Sequence, residues 1–498
     1  MTTILEASAI AGLIADGATV VSDGFTMMGV ADEILASIEQ SFQATGHPRD
    51  LTWVHSAGQS NRRDGLARMA HPGLLKRVVG SHWGLNPAMG QLLGGDEIEA
   101  VCLPQGQLTT LFRTIAAGRP GQLSTVGLGT FVDPRLDGGR LNDRTRQALP
   151  ADHYVSVIEV AGREFLFYKA FALDVAIIRG TQIDPEGNLS QSDDATHLDA
   201  LAIAQAVHNA GGRVIAQVKA QVGHGEIRAR DVMVPGVLVD YAVICSEPQA
   251  FHRPSDSYPP GSRELILGYV GPDEFATAIA TNQTVAPARL AIGRRALALI
   301  RPGDVINLGT GIPGDVIGVA LGEAGILDQV HLTVESGTYG GIPLGGVDFG
   351  AALHPQAIIP HAQQFDFYNG GGVDITFMGV GQVDQYGNVN VSKLGHNATG
   401  CGGFMDIVDG AKRICFLMAS DSTHPKYVDQ VSHLTFNGQA ALAKGRAVFL
   451  VTEFYTLEFV ALGWRLVDHL PTQEAKQALG RIPFPIITDT KKVDSHDR

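Results

Sequence analysis

The chain predicts an α/β fold of two pseudo-repeated domains, each a parallel or mixed sheet covered by helices, and three observations predict it. The first is an ungapped internal match at an offset of 200, in which residues 173–188 read LDVAIIRGTQIDPEGN and residues 373–388 read VDITFMGVGQVDQYGN. The second is that the same order of signals occurs twice: strand, glycine turn, helix, strand, Ser-Gly turn, later strand and D-x-x-G-N turn. The third is the alternation of β-branched runs with helix-like segments, which implies strands crossing over through helices.

Each copy of the match reads as a buried strand closing in a turn where Asp and Asn bond the local backbone and Gly supplies a positive φ. Upstream, Gly17-Ala-Thr-Val-Val-Ser-Asp-Gly-Phe corresponds to Gly303-Asp-Val-Ile-Asn-Leu-Gly-Thr-Gly, and Leu51-Thr-Trp-Val-His-Ser-Ala-Gly corresponds to Leu332-Thr-Val-Glu-Ser-Gly. The boundary is expected near residues 276–290, giving domains 1–280 and 288–498. The first half is the longer one, and its surplus is expected as an insertion at about 62–165 that decorates a binding face.

The 498 residues are 45% apolar and 18% charged, enough to build a core and too apolar for a disordered chain. A net charge of −14 excludes a nucleic-acid partner, which demands a basic stripe. An anionic substrate then needs a pocket lined by backbone N–H groups or by local positive charge. Cys102, Cys245, Cys401 and Cys415 form no CxxC pair, and the 17 histidines show no HxxxH or HExxH, so neither a metal nor a tightly bound cofactor is expected. Met1 to Val20 lacks a basic n-region and no run of eighteen apolar residues occurs, so the expectation is a cytoplasmic protein without a membrane span.

Gly309-Thr-Gly311-Ile-Pro-Gly314 satisfies G-x-G-x-x-G between a strand-like and a helix-like segment, and Glu335 follows at the end of the next strand. On spacing alone this is a dinucleotide fingerprint, and it keeps an NAD-dependent dehydrogenase as an alternative. Glu335, however, runs into Ser-Gly-Thr-Tyr-Gly-Gly, a backbone bare enough for close approach of a ligand. In the first half the corresponding position is His55 or Ser56, so the acid belongs to one half only.

Together with these motifs, Gly24-Phe25, His47-Pro-Arg-Asp-Leu-Thr, Gly80-Ser-His-Trp-Gly, Leu103-Pro-Gln-Gly, Gly127-Leu-Gly-Thr-Phe-Val-Asp-Pro-Arg, Phe365-Asp-Phe-Tyr-Asn-Gly-Gly-Gly and Gly400-Cys-Gly-Gly-Phe-Met-Asp-Ile span nearly the whole chain. The sequence resembles the family I coenzyme A transferases, and Glu335-Ser-Gly matches their single-chain acetate/propionate branch. The resemblance implies transfer of CoA from an acyl-CoA to a free carboxylic acid (acetate, propionate or a 3-oxoacid) through a glutamyl-CoA thioester on Glu335. It implies Gly402 and Gly403 as oxyanion donors, with Gly371-Gly372 adding to the wall, and Gln105 and Gly106 at the substrate carboxylate. The loop bearing Gly309, Gly311 and Gly314 is expected to hold CoA, with Lys393 and Arg294 as phosphate partners. Cys401 reads as a small buried filler. CoA is then substrate and transient adduct, the assembly a homodimer or homotetramer, and an acyl-CoA hydrolase the alternative on the same fold.

Overall fold

The computed structural model describes residues 2–253, 285–420 and 426–488. The first half is organised on eight parallel strands, in the spatial order Thr3–Ile4, Tyr241–Ile244, Arg213–Val218, Val175–Arg179, Thr19–Ser22, Leu51–Val54, Leu75–Gly80 and Glu99–Cys102. The five residues of Val175–Arg179 are all buried, as a central strand covered on both faces requires. Helices cover the sheet with one apolar face each. Asp32–Thr45 buries Ile34, Leu35 and Ile38, and it stops at Gly46, whose φ of 74° lets its N–H close on the Phe42 carbonyl.

The second half carries ten strands, in the order Ala357–Ile358, Thr338–Tyr339, His331–Val334, Val305–Leu308, Ile375–Gly379, Arg413–Leu417, Ala447–Val451, Tyr455–Val460, Gly463–His469 and Ile486–Ile487. The five strands from His331–Val334 to Ala447–Val451 are mutually parallel, and antiparallel pairs flank them. This is the mixed α/β architecture expected from the sequence.

The internal repeat is structural. Val175–Arg179 lies between Thr19–Ser22 and Arg213–Val218, and Ile375–Gly379 lies between Val305–Leu308 and Arg413–Leu417. In both D-x-x-G-N turns the Asp holds the Asn twice: Asp184 accepts from the Asn188 N–H at 2.8 Å and its Nδ2 at 2.9 Å, and Asp384 from those of Asn388 at 3.0 and 3.1 Å. Strand register also settles which residue mirrors Glu335. Ser22 pairs with Ile177 as Leu308 pairs with Phe377, and Val21 pairs with Val54 as Asn307 pairs with Thr333. Two residues further along each strand stand Ser56 and Glu335, so Ser56 is the counterpart.

Residues 62–165 are not a single appendage. Leu75–Gly80 and Glu99–Cys102 extend the main sheet, and Gln105–Ala116 is one of its covering helices. Only the three-stranded antiparallel sheet of Gly121–Ser124, Val155–Val160 and Arg163–Lys169 stands apart from it. The expected boundary at residues 276–290 lies mostly outside the described residues. Among the described residues no helix is long and apolar enough to cross a membrane.

Candidate active site

A cavity of about 560 Å³ opens where residues just beyond the strands of both sheets converge. Phe25 and Thr26 follow Thr19–Ser22, His82 follows Leu75–Gly80, Gln105 follows Glu99–Cys102, Gly309 follows Val305–Leu308 and Glu335 follows His331–Val334. Binding outside the carboxyl ends of strands, at the point where connections turn in opposite directions, is the rule for open α/β sheets. Here that point lies between Val305–Leu308 and Ile375–Gly379, whose ends supply Gly309, Thr310, Gly311 and Met378 to Gly381.

Glu335 is 8% exposed and faces this cavity. Burial pushes its carboxyl from the ordinary 4.5 up to about 7, partly offset by His361 and by a hydrogen bond from the Gln105 side chain. The wall against it is Gly403, because a Cβ there would overlap Glu335 Oε2. The glycines that follow Glu335 in sequence serve other ends. A Cβ on Gly337 would overlap the Ile359 carbonyl, one on Gly341 the Leu353 carbonyl, and one on Gly340 would lie 2.6 Å from the Gln356 side chain.

The backbone donors also separate. The Gly402 N–H is spent on the Ser81 carbonyl at 2.9 Å, and the Gly402 carbonyl accepts the Gln105 N–H at 3.1 Å. The Gly403 N–H makes no hydrogen bond among the described residues, so of the expected pair only Gly403 offers a free donor. Gly371 and Gly372 follow the Gly370 cap of the helix His361–Asn369 and do not line the cavity.

Gln105 is buried against the cavity, but Gly106 points away from it. The Gly106 N–H donates to Asp406 Oδ2 at 2.9 Å, and a Cβ there would lie 2.6 Å from Asp406 Oδ1. Asp406 also accepts from Gln107 Nε2 at 2.8 Å, so it clamps helix Gln105–Ala116 to helix Phe404–Gly410 across the two halves. Gly106 is therefore a packing glycine and not a substrate contact.

Gly309 and Gly311 line the cavity, whereas Gly314 packs beside the Gly309 carbonyl with a would-be Cβ at 3.2 Å. Lys393 is turned elsewhere, its Nζ donating to the Leu141 carbonyl at 2.5 Å, and Arg294 is paired with Glu323 at 2.9 Å on the surface. Neither reaches the cavity. Cys401 lines it, 3.6 Å from Cys102 Sγ, with burial holding its thiol well above the ordinary range, so it is an inert filler. Among the described residues no group of His, Cys, Asp and Glu is arranged to hold a metal ion.

Two features of the site have no counterpart among the sequence expectations. His82 is wedged between glycines, since a Cβ on Gly58 or Gly84 would lie 2.8 or 2.7 Å from its ring nitrogens, and burial lowers it to about 4, so it is neutral. Behind Gln105 lies His361, fully buried and bonded to Asp199. The motif Gly80-Ser-His-Trp-Gly contains His82 without giving it a role, and no local pattern marks His361.

The raised Glu335 carboxyl has a consequence for stability. A group whose folded pKa exceeds its unfolded one destabilises the fold above that pKa, and the penalty vanishes as pH falls below the unfolded value. A rise from 4.5 to about 7 corresponds to about 3 kcal/mol against the ionised form. Glu335→Gln is therefore expected to raise the thermal midpoint at alkaline pH and to leave it unchanged in acid, where the native side chain is already neutral. Thermal unfolding of both proteins in two buffers checks this.

Residues 5–244 match the family model described as Coenzyme A transferase. The chain is 34% identical to the caffeate CoA-transferase of Acetobacterium woodii, over 99% of this chain and 97% of that one. It is 34% identical to the acetate CoA-transferase YdiF of Escherichia coli strain K12, over 93% of this chain and 88% of that one. The crystal structure of the acyl-CoA transferase YdiF apoenzyme from Escherichia coli O157:H7 superposes with a TM-score of 0.87 at 32% identity, covering 98% of this chain and 94% of that one. A coenzyme A transferase leaves no place for the dehydrogenase reading of Gly309 to Gly314. With two α/β halves meeting at a buried glutamate and relatives aligned almost end to end, the chain belongs to family I of the coenzyme A transferases and moves CoA from an acyl-CoA to a free carboxylic acid.

Proposed function

We propose that Glu335 is the covalent carrier of this transfer and that the acceptor is a monocarboxylic acid. The observation that carries the reading is the placement of Glu335, a buried carboxylate facing the cavity with the bare Gly403 against it and the Gln105 amide bonded to it. A Glu335 oxygen attacks the acyl carbonyl carbon, the C–S bond breaks, and CoA leaves as the thiolate with an acyl-glutamyl anhydride left behind. The thiolate attacks the glutamyl carbonyl and expels the first acid as its carboxylate, giving the glutamyl-CoA thioester. The acceptor carboxylate attacks that thioester and the two steps run backwards. No proton moves at any step, which suits a cavity whose imidazole, His82, is neutral.

The Gly403 N–H is the donor for the oxyanions, and Gln105 orients the carboxylates without adding charge. Gly309 and Gly311 suit the uncharged amides of the pantetheine arm better than phosphates, because Asp315 shares the same mouth. The four cysteines are free and buried, which supports a reducing, cytoplasmic setting. The resemblance implies a homodimer or homotetramer.

Among the described residues, neither Lys nor Arg lines the cavity. A second carboxylate on the acceptor is stripped of water there without a counter-ion. Succinate is thus expected to show a kcat/KM at least about 10²-fold below that of propionate, a difference of about 3 kcal/mol. Competition of the two acids for one acyl-CoA measures it.

Initial rates with an acyl-CoA and acetate test the function. Ping-pong kinetics and dependence of CoA release on acetate are expected. Equal thioester loss with and without acetate identifies a hydrolase instead.

A further inference from the structure

Behind Gln105 runs a line of buried polar groups that the transfer chemistry does not itself use. His361 Nε2 lies 3.0 Å from Gln105 Nε2, and His361 Nδ1 lies 3.3 Å from Asp199 Oδ2. Asp199 further accepts from the Ser56 hydroxyl at 2.5 Å and from the Thr109 hydroxyl, and its own N–H donates to Asp23 Oδ1 at 2.9 Å. The chain of contacts therefore joins Ser56, the first-half counterpart of Glu335, to Glu335 itself.

Donor and acceptor bookkeeping fixes the protons. The Asp199 carboxylate only accepts, so His361 Nδ1 carries a hydrogen. With the Gln105 amide nitrogen against it, which only donates, His361 Nε2 is bare and the imidazole is neutral in this arrangement. The amide nitrogen then has its second hydrogen for Glu335, whose carboxylate also only accepts. Turned over, the amide sets its oxygen against that carboxylate. One arrangement satisfies all four groups.

We propose that His361, oriented by Asp199, is a positioning residue whose bare Nε2 holds the Gln105 amide with its NH₂ toward Glu335, and that protonation of His361 turns the amide over and removes this donor from the reacting carboxylate. The proposal rests on Glu335 being the nucleophile. The imidazole is pinned in place, its edges meeting the rings of Phe25 and Phe365, and its helix begins with the His361 N–H on the His197 carbonyl at 2.9 Å. Asp199, Glu335 and Asp23 are the titratable groups facing it, and their charge, Asp199 first, outweighs burial and raises it above its ordinary 6.5. The facing carboxylates therefore make the protonated imidazole easier to reach than it is for a free one.

The test is a double-mutant cycle of His361→Phe and Gln105→Leu, read as the single-turnover rate of glutamyl-CoA formation across the pH range in which imidazoles titrate. His361→Phe keeps the ring packing and removes the acceptor, so a loss of about 10²-fold is expected, with one fewer proton in the acid limb of the profile. Gln105→Leu is expected to cost a similar factor, and adding His361→Phe to it should then cost almost nothing. His361→Gln, whose amide oxygen also accepts, should recover part of the rate without the imidazole titration. A wild-type rate and profile in His361→Phe, or the same loss in the Gln105→Leu background as in the wild type, overturns the proposal. Should His361→Phe not fold, His361→Gln decides: an unchanged acid limb there overturns it too. A wild-type protein that accumulates no CoA adduct at all strikes instead at the nucleophile reading beneath it.

Discussion

Replacing Glu335 by Ala is expected to lower CoA transfer by about 10⁴-fold or more, because it removes the atom proposed as the covalent carrier. No second acid takes its place. Asp315, the other acid lining the cavity, is partly exposed at the mouth and faces Arg289 at 3.4 Å. Glu335→Asp keeps the charge but retracts the oxygens by one methylene, and a displacement of that size costs about 10²-fold in a site that depends on alignment. In the wild type, kcat/KM for the acyl-CoA should fall as pH drops through about 7, where the buried carboxyl takes up its proton and loses its nucleophilic form. Steady-state rates of the three proteins across pH measure all of this, and the Asp variant should fall between the other two.

The second large effect is expected at Gly403. Its backbone, at φ −79° and ψ −3°, is one that alanine adopts without strain. What forbids a side chain is the neighbour, since the added Cβ would overlap Glu335 Oε2 and lie 2.9 Å from Phe365 Cζ. Gly403→Ala is thus expected to push the carboxylate away from the Gly403 N–H and to cost about 10²–10³-fold in kcat, the usual scale for an oxyanion donor, with a smaller fall in thermal midpoint than at a glycine whose backbone is also strained. Gly337 supplies the contrast. At φ 106° with a carbonyl where its Cβ would go, its Ala variant should lose stability as well as activity. Parallel assays and melting curves of the two variants separate a glycine needed for chemistry from one needed for the chain's path.

The doubled architecture was legible because its signals are local and recur at a fixed offset: the strand ahead of each D-x-x-G-N turn sits at the centre of its sheet, and the turns close with the same bonds. Glu335 was legible for a related reason, as an acid at a strand end where the first copy has none. What surrounds the carboxylate was not legible, because it is assembled from afar. Gln105 and His361 are 256 residues apart, His361 and Asp199 162, and Gly106 and Asp406 300. No pattern within a motif announces such partners. The run of glycines after Glu335 suggested the bare wall, yet those glycines make room for neighbouring backbone and the wall arrives from residue 403. Which N–H of Gly402-Gly403 is free depends on the Ser81 carbonyl, a fact of tertiary placement. Lys393 failed as a phosphate ligand for the same reason, since a hairpin lysine has no sequence signal for its direction and this one reaches back to the Leu141 carbonyl.

On the proposed reading, the Glu335 side chain holds CoA between the two half-reactions. Mass spectrometry of the protein mixed with an acyl-CoA, before any acceptor is added, tests it most directly. A CoA-sized adduct is expected on the peptide containing Glu335, discharged when acetate is supplied and absent from Glu335→Ala. Turnover without that adduct, or the adduct on another residue, would rule out Glu335 as the carrier.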